Sequence, residues 1–298
     1  MSDVHLRLPA TSANLGPGFD SLALALKLYL YVDARASERV HLEATGRDAE
    51  ICGATENNLL LRTYREVLAS HAREFVPLQL KVRNEIPLGM GCGSSAAVRL
   101  AAVALASHFG GLGWSRDRIL TEAALMEGHP DNAAACWLGG FVASAVEEDQ
   151  VYAVSIPAPA DWRAVIVMPD RPLSTIASRG LLPETYARKD VVANLQRVGL
   201  LTAAFATGSA NLISTAMADR LHQPFRAEAC PLLPRLLPLA GRGGIAGVAL
   251  SGAGPAVIIL TITNDAASEA INMASKEIKE LGNIEFLTCE LEDTPVAF

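Results

Sequence analysis

The chain has 298 residues and a formal net charge of −7, and half of its residues are hydrophobic. This length suits one large domain or two smaller ones that share a core. A chain without a basic surplus is not expected to bind nucleic acid, because it has no excess of cations to neutralise phosphates. Glycine, proline or charged residues interrupt the apolar residues throughout, and the opening MSDVHLRLPA has no basic segment before an apolar run. Neither a membrane span nor a secretory signal is therefore expected.

In the first half of the chain, apolar and polar residues alternate as they do in β-strands. The predicted strands cover residues 4–8, 22–30, 40–44 and 78–82. The predicted helices cover residues 59–75, 94–109 and 115–127. Glycines at 110, 111 and 113 end the second helix, and Ser115 is a suitable N-cap for the third.

In the second half, the apolar run AVIVM after Asp161 predicts a buried strand. The later predicted elements are helices at 190–208 and 209–220, strands at 246–251 and 255–262, a helix at 266–281 and a strand at 284–291. This mixture predicts an α+β fold rather than a regular βαβ series. The turn at 157–161 is the expected boundary between an N-terminal part, 1–158, and a C-terminal part, 159–298.

Five cysteines are scattered through the chain, at Cys52, Cys92, Cys136, Cys230 and Cys289. Their number is odd and no C-x-x-C pair occurs, which is untypical of a disulfide framework or a zinc site. Free thiols and a cytoplasmic protein are therefore expected.

Residues 87–97 read PLGMGCGSSAA, with glycine at every second position from 89 to 93. Without side chains, the loop lets backbone amides approach a ligand closely. The helix that follows adds unpaired amides and a partial positive charge, which together favour an anion. A strand–helix turn capped by serines has the same appearance, and the loop matches neither the Walker nor the dinucleotide pattern. Residues 9–20 (PATSANLGPGFD) and 251–255 (SGAGP) are two further small-residue loops. Three such loops favour a phosphate-binding site over turns alone.

These three segments resemble, in the same order, the motifs of the GHMP kinase family, and the match spans nearly the whole chain. The resemblance implies a two-part α+β fold, with a left-handed βαβ crossover in the N-terminal part and a ferredoxin-like C-terminal part. PATSANLGPGFDSLALAL, EGHPDNAAACWLGGF and STIASRGLLPETY further resemble the branch of the family that acts on homoserine. The implied activity is ATP-dependent phosphorylation of the side-chain hydroxyl of L-homoserine in threonine biosynthesis, by a homodimer.

The resemblance also implies how ATP and Mg²⁺ are bound. The implied nucleotide-binding residues are Asn58, Pro87, Leu88, Gly89, Met90, Gly91, Cys92, Gly93, Ser94, Ser95 and Ala96. Ser95 and Glu127 are the implied Mg²⁺ ligands, since Mg²⁺ prefers oxygen, although Glu127 could be a surface carboxylate at a helix end. Asn58, expected at the adenine, is almost equally well interpreted as a turn asparagine.

Asp131 is the candidate base, or the group that orients the hydroxyl. A carboxylate cannot fully deprotonate an alcohol beforehand, so the proton would leave late. Asn132 is an alternative substrate contact and a second candidate catalytic residue. His129 beside them is not expected to act chemically.

An amino-acid substrate needs partners for its carboxylate and its ammonium group. Arginine suits the carboxylate because its guanidinium pairs bidentately, and Arg179 and Arg226 match the substrate arginines of the family. Arg179 is also a candidate catalytic residue. Asp20 with Asn14 suits the ammonium group, and Gly252 is expected in a loop close to the substrate. Either arginine could instead be a solvated surface charge.

Cys92 stands where the family usually has leucine. A thiol in a phosphate loop beside a helix N-terminus should have a lowered pKa, which predicts inactivation by alkylation and protection by MgATP. The alternative is a small buried residue.

Two other functions remain open: a GHMP kinase for another small alcohol, and a non-catalytic binding module of this fold. Asp20, Arg179 and Arg226 argue against the first, because an alcohol without the amino-acid group leaves them unpaired. The intact glycine motif, with Glu127 and Asp131, argues against the second.

Overall fold

Two β-sheets organise the chain, and the computed structural model describes residues 2–298 apart from the side chain of Thr175. The first sheet contains β1 (Val4–Asn14), β2 (Gly18–Ala36), β3 (His41–Gly46), β4 (Leu78–Asn84), β5 (Phe141–Glu147) and β6 (Gln150–Ile156). Its order is β3-β4-β2-β5-β6, and β1 pairs with β2 outside this path. β3 and β4 are parallel and are joined by α1 (Ala49–Gly53) and α2 (Leu59–Ser70). The left hand of this crossover stays a prediction.

The second sheet contains β7 (Arg163–Pro169), β8 (Ile245–Leu250), β9 (Val257–Thr261) and β10 (Ile284–Glu290). Its order is β10-β7-β9-β8, and all the neighbouring strands are antiparallel. Helices separate β7 from β8 and β9 from β10, which gives the β-α-β-β-α-β sequence of a ferredoxin-like unit. The expected α+β class and C-terminal architecture are confirmed.

The main core is formed by the first sheet together with several helices, which include α2, α3 (Ser94–Phe109), α4 (Arg116–Glu127) and α5 (Asp131–Leu138). Alanines such as Ala97, Ala101 and Ala104 fill the buried side of α3 and let its neighbours approach closely. The other helices are α6 (Thr175–Arg179), α7 (Arg188–Thr207), α8 (Ala210–Ala216), α9 (Gln223–Arg226), α10 (Leu232–Leu236) and α11 (Asn264–Ile278). In the described part of the chain, no helix is both long enough and apolar enough to cross a membrane.

The second sheet is buried on both faces. Ile166 and Met168 join the main core, whereas Val165 and Val167 pack in a second core with residues of α10 and α11. The chain then returns to the first sheet, where Leu291 forms a β-bridge with Leu26. The division into 1–158 and 159–298 stays a prediction.

The structure corrects several expectations. Residues 9–14, expected in a loop, continue β1 as far as Asn14, because small side chains such as Ala10 and Ala13 are buried there while the backbone pairs with β2. α2 ends at Ser70 rather than 75, just before Ala72 adopts a positive φ of 52°. α8 ends at Ala216 rather than 220. Helix α5 and the β5–β6 hairpin were not predicted.

Candidate active site

A polar cavity lies where both sheets, the glycine loop (residues 87–95) and the beginning of α5 meet. The predicted site residues that line it are Asn14, Asp20, Pro87, Gly89, Gly91, Cys92, Gly93, Ser94, Ser95, Glu127, Asp131, Asn132, Arg179, Arg226 and Gly252. The structure therefore brings together segments that are more than two hundred residues apart in the chain.

The glycine loop has a backbone conformation that requires glycine. Gly89, Gly91 and Gly93 have φ angles of 68°, 82° and 71°. A Cβ on Gly91 would lie 2.1 Å from the carbonyl oxygen of Ser251, and one on Gly93 would lie 1.8 Å from Thr11 Oγ1. The loop is thus packed against β1 and the turn after β8, immediately before the N-terminus of α3.

A second cavity, of about 560 Å³, adjoins the first, and Ser94 lines both. Its volume falls within the range of about 300–1,000 Å³ that is typical of ligand pockets. Its apolar walls include Leu30, Leu42, Ile51, Leu60, Val82, Leu88 and Val98. Most of the predicted nucleotide residues therefore line two neighbouring cavities that share Ser94, a polar one at the glycine loop and an apolar one beyond it.

Asn58 lines the apolar cavity, but its side-chain polar atoms are already hydrogen-bonded within the protein. Its Nδ2 donates to the carbonyl oxygens of Cys52 and Ala54, at 3.0 and 2.9 Å, and its Oδ1 accepts from the amide of Leu61 as the N-cap of α2. Asn58 thus holds one wall of the cavity in place.

Two predicted nucleotide residues, Met90 and Ala96, line neither cavity. Met90 packs against the main core, and Ala96 is 1% exposed in the first turn of α3. The prediction that these two residues bind the nucleotide therefore depends on their backbone amides and not on their side chains.

Cys92 also differs from expectation. Its thiol is buried, and burial together with nearby Cys289 raises its pKa to about 12. The expectation of a lowered pKa is wrong, because the side chain packs into the core instead of facing the amides at the start of α3. All five cysteines are free thiols, as expected.

Ser95 and Glu127, the predicted metal ligands, are in contact. Ser95 Oγ donates to Glu127 Oε2 at 2.9 Å, and Arg99 Nε lies 2.7 Å from the same oxygen. Glu127 is the last residue of α4, and Gly128 caps the helix with a φ of 88°, which turns the chain towards α5. Two oxygen donors at the edge of a polar cavity fit a hard cation such as Mg²⁺.

Asp131 begins α5 and is buried, and only one of its two carboxylate oxygens is used by the fold. Oδ1 accepts hydrogen bonds from His129 Nδ1 and from the amide of Asn132, both at 2.7 Å. Oδ2 accepts none from the residues that the structure describes. Asn132 is held in turn by Thr11, whose hydroxyl donates to Asn132 Oδ1 at 2.6 Å. A rigidly held carboxylate with one free oxygen can orient a hydroxyl group or take its proton.

His129 lines the cavity, although sequence reasoning gave it no chemical role. Burial alone would lower its pKa, but the hydrogen bond to Asp131 and the charges of Asp131, Asp20 and Glu127 raise the pKa above 6.5. Asp20, His129 and Asp131 bring ligand atoms within 4.8 Å of one another. Asp20 is engaged by Arg179 and Asp131 by His129, so ion pairs account for this cluster.

Continuous with this cluster, a charged wall of the cavity contains Asp20, Arg179, Arg226 and Phe19. Arg179 forms a bidentate pair with Asp20, and its Nη1 lies 3.1 Å from Asp20 Oδ2. The guanidinium carbons of Arg179 and Arg226 lie 5.3 and 5.4 Å from the centre of the Phe19 ring. Phe19 is a site residue that sequence reasoning missed, although it is the one aromatic residue in PATSANLGPGFD.

Arg226 is 1% exposed and forms no ion pair with a carboxylate in the described part of the chain, although the charges of Asp20 and Asp219 act on it from a longer distance. Its guanidinium donates to the carbonyl oxygen of Ser178 and to His222. Burial and the charge of Arg179 lower its pKa, which means that the cation is poorly stabilised as it stands. A ligand carboxylate would stabilise it. The surface-charge alternative does not apply to Arg226.

The side chain of Asn14 makes hydrogen bonds that hold this wall together. Its Nδ2 donates to the carbonyl oxygen of Gly252 at 2.8 Å, and its Oδ1 accepts from the amide of Asp20 at 3.1 Å. Asn14 thereby connects the start of β2, where Asp20 lies, to the turn after β8.

Comparison with known proteins agrees with this geometry. "GHMP kinases N terminal domain" matches residues 58–140 and "GHMP kinases C terminal" matches residues 201–280. The homoserine kinase of Solibacter usitatus is 47% identical over 258 residues, covering 86% of this chain and 84% of that protein. The chain belongs to the GHMP kinase family.

Other relatives of this GHMP kinase are consistent with that membership. The homoserine kinase of Moorella thermoacetica is 39% identical over 253 residues, covering 85% of this chain and 86% of that protein. The crystal structure of homoserine kinase from Cytophaga hutchinsonii has a TM-score of 0.84 at 26% identity and covers all of this chain and 97% of that one. Mevalonate kinase from L. major has a TM-score of 0.73 at 14% identity, covers 97% of this chain and 96% of that one, and shares the fold alone.

Proposed function

We propose that this GHMP kinase transfers the γ-phosphoryl group of ATP to the side-chain hydroxyl of L-homoserine. The product is O-phospho-L-homoserine, an intermediate of threonine biosynthesis. The observation that carries the proposal is the charged wall of the cavity, where Asp20, Arg179 and Arg226 lie close to Asp131. The names of the homoserine kinase relatives support the same substrate.

The two neighbouring cavities bind different parts of the nucleotide. The apolar cavity suits the adenine ring, and the amides of the glycine loop and of the first turn of α3 suit the triphosphate. Ser95 and Glu127 would hold Mg²⁺, which when bound neutralises charge on the phosphates. The chain itself contributes position, because phosphoryl transfer depends more on alignment and charge than on covalent chemistry.

The charged wall suits the amino-acid end of homoserine. Its carboxylate would contact Arg226 and Arg179, and its ammonium group would contact Asp20, which Arg179 already holds in place. The side-chain hydroxyl then points towards Asp131, whose free Oδ2 orients it and takes its proton late in the transfer. Asn132, fixed by Thr11, is the neighbouring polar contact.

The proposal includes a cytoplasmic, dimeric enzyme. Five free thiols are typical of a reducing compartment. The homodimer rests on the family resemblance, and sedimentation analysis of the purified protein tests it. The boundary near residue 158 is likewise a proposal, which limited proteolysis tests.

The experiment is ADP release from MgATP with homoserine, serine, threonine, mevalonate or galactose as the acceptor. Turnover should be selective for homoserine. Turnover of mevalonate or galactose instead would keep the family but refute the substrate assignment. ATP binding without turnover of any acceptor would favour a non-catalytic binding module.

A further inference from the structure

Behind Arg226 lies a fully buried histidine, His222, which does not line the cavity but contacts two residues that do, Arg226 and Phe19. His222 Nε2 lies 2.7 Å from the carbonyl oxygen of Gly16, and Nδ1 lies 3.1 Å from Arg226 Nη1. A carbonyl oxygen can only accept a hydrogen bond and a guanidinium can only donate one. Both contacts are satisfied only by a neutral ring with its proton on Nε2. Burial, assisted by the charge of Arg226, lowers the pKa of His222 and is consistent with this form.

The two partners of His222 are connected to two different charged groups of the proposed substrate site. Gly16 lies in the turn between β1 and β2, just before Asp20, and Arg226 is the guanidinium without an ion pair. Gly16 is tightly enclosed, since a Cβ there would lie 1.9 Å from the carbonyl oxygen of Met217. The imidazole therefore links the turn before Asp20, the proposed ammonium-binding residue, to Arg226, the proposed carboxylate-binding residue.

Asp219 fixes His222 from behind. Its side chain is fully buried, and Oδ2 accepts from the amides of His222 and Gln223 at 2.9 and 2.7 Å. Oδ1 accepts from Asn194 Nδ2 at 2.6 Å. The carboxylate thus anchors the start of α9, the short helix that ends at Arg226.

We propose that His222 is a positioning residue that couples the two ends of the homoserine site, and that Asp219 anchors it. Its hydrogen bond with Arg226 orients that guanidinium towards the substrate carboxylate. Its hydrogen bond with Gly16 holds the turn between β1 and β2, just before Asp20. An apolar side chain of the same size could fill this space, but it could satisfy neither Gly16 nor Arg226. The inference rests on the proposed function, since it assigns a purpose to Arg226 that only an anionic substrate group supplies.

The test separates the two hydrogen bonds with two substitutions. In His222→Asn, the amide oxygen reaches the position of Nδ1 and keeps an acceptor for Arg226, whereas His222→Gln reaches the position of Nε2 and keeps only the donor to Gly16. We expect His222→Gln to raise KM for homoserine about tenfold or more, while kcat and KM for MgATP stay within threefold. His222→Asn loses the contact with Gly16 and should also raise KM for homoserine, by a smaller factor, and a KM at the wild-type value in either variant would refute the coupling.

Tyr64→Phe is the matched control, because it removes a buried hydrogen bond, from Tyr64 to the carbonyl oxygen of Val76, far from the cavity. It should lower Tm without changing KM for homoserine. If the His222 variants lower Tm but leave that KM within twofold, or raise both KM values equally, the positioning role is refuted. Absence of homoserine turnover by the wild-type enzyme would refute the proposed function, and this inference with it.

A measurement on the unmodified protein covers the case in which the variants do not fold. With ¹⁵N-labelled histidine, the His222 resonances should show the neutral tautomer with its proton on Nε2, and they should shift when homoserine is added but not when MgADP is added. A different tautomer, or no shift with saturating homoserine, would refute the coupling.

Discussion

The glycine loop and the charged wall face the same cavity, but they are built in different ways. The loop consists of consecutive residues, and its shape comes from positive φ angles and from close backbone contacts at Gly91 and Gly93. The wall consists of side chains from three distant segments, held by hydrogen bonds to one another and to residues behind the cavity surface.

This difference explains which substitutions each region accepts. In the loop, Met90 packs against the main core and the Cys92 side chain is buried, so the residue at these positions can change without altering the backbone that we propose binds phosphate. In the wall, the proposed contacts are the side chains themselves, so an exchange of Asp20, Arg179 or Arg226 should remove a partner for the proposed substrate.

The largest effect is expected at Asp131, between the two regions. Asp131→Asn keeps an oxygen to accept from His129 and Asn132 but removes the carboxylate charge and its basicity. We expect kcat to fall about 1,000-fold with both KM values within threefold, as is typical when a general base is removed. Stopped-assay kinetics of ADP release measure this. A kcat within threefold of wild type would show that Asp131 is not the base.

The variant Gly91→Ala tests whether the backbone conformation of the glycine loop is needed for nucleotide binding. The new Cβ would lie 2.1 Å from the carbonyl oxygen of Ser251, so the loop must move away from the 251–254 turn. Strain of this kind costs about 1–3 kcal/mol, and we expect KM for MgATP to rise up to about 100-fold.

Gly111→Ala is the matched control, since Gly111 also has a positive φ, of 61°, but no heavy atom of the described chain lies within 4 Å of its missing Cβ. It should cost some stability and leave KM for MgATP unchanged. Equal effects of the two variants on that KM would mean that the loop contact has no special role.

The smallest effect is expected at Cys92. A pKa of about 12 leaves roughly one thiolate in ten thousand at pH 8, so iodoacetamide should modify the less buried Cys52 well before Cys92. Cys92→Ala should retain kcat within twofold and lose only a little Tm. Peptide mass spectrometry after timed alkylation follows the labelling, and rapid modification of Cys92 in the folded enzyme would contradict the burial argument.

The contrast between loop and wall also separates what the sequence could and could not predict. α3, β7 and the Ser115 cap were predicted because periodicity and capping are local signals. The glycine loop was recognisable for the same reason. Residues 9–14 were mistaken for a loop, because their small polar residues are buried by contacts that form only in the folded chain, such as Thr11 with Asn132.

The wall is the least predictable part. The family resemblance supplied Arg179 and Arg226, but no local pattern connects His222 to Gly16, which is 206 residues away in the sequence. Phe19 stood in a recognised motif, yet only the folded structure shows it between two guanidinium groups. A site made of side chains from distant segments becomes visible only when the topology is known.

The most direct test of the account is the kinetics of Arg226→Met, which keeps an apolar stem beside Phe19 and removes the charge. Arg220→Met, which removes an exposed arginine paired with Asp190, is the control. Losing one partner of a buried ionic contact costs about 2–5 kcal/mol, so KM for homoserine should rise about 100-fold or more in Arg226→Met, with KM for MgATP within twofold. An unchanged KM for homoserine would contradict the amino-acid site, and with it the division of the cavity into a backbone-built nucleotide side and a side-chain-built substrate side.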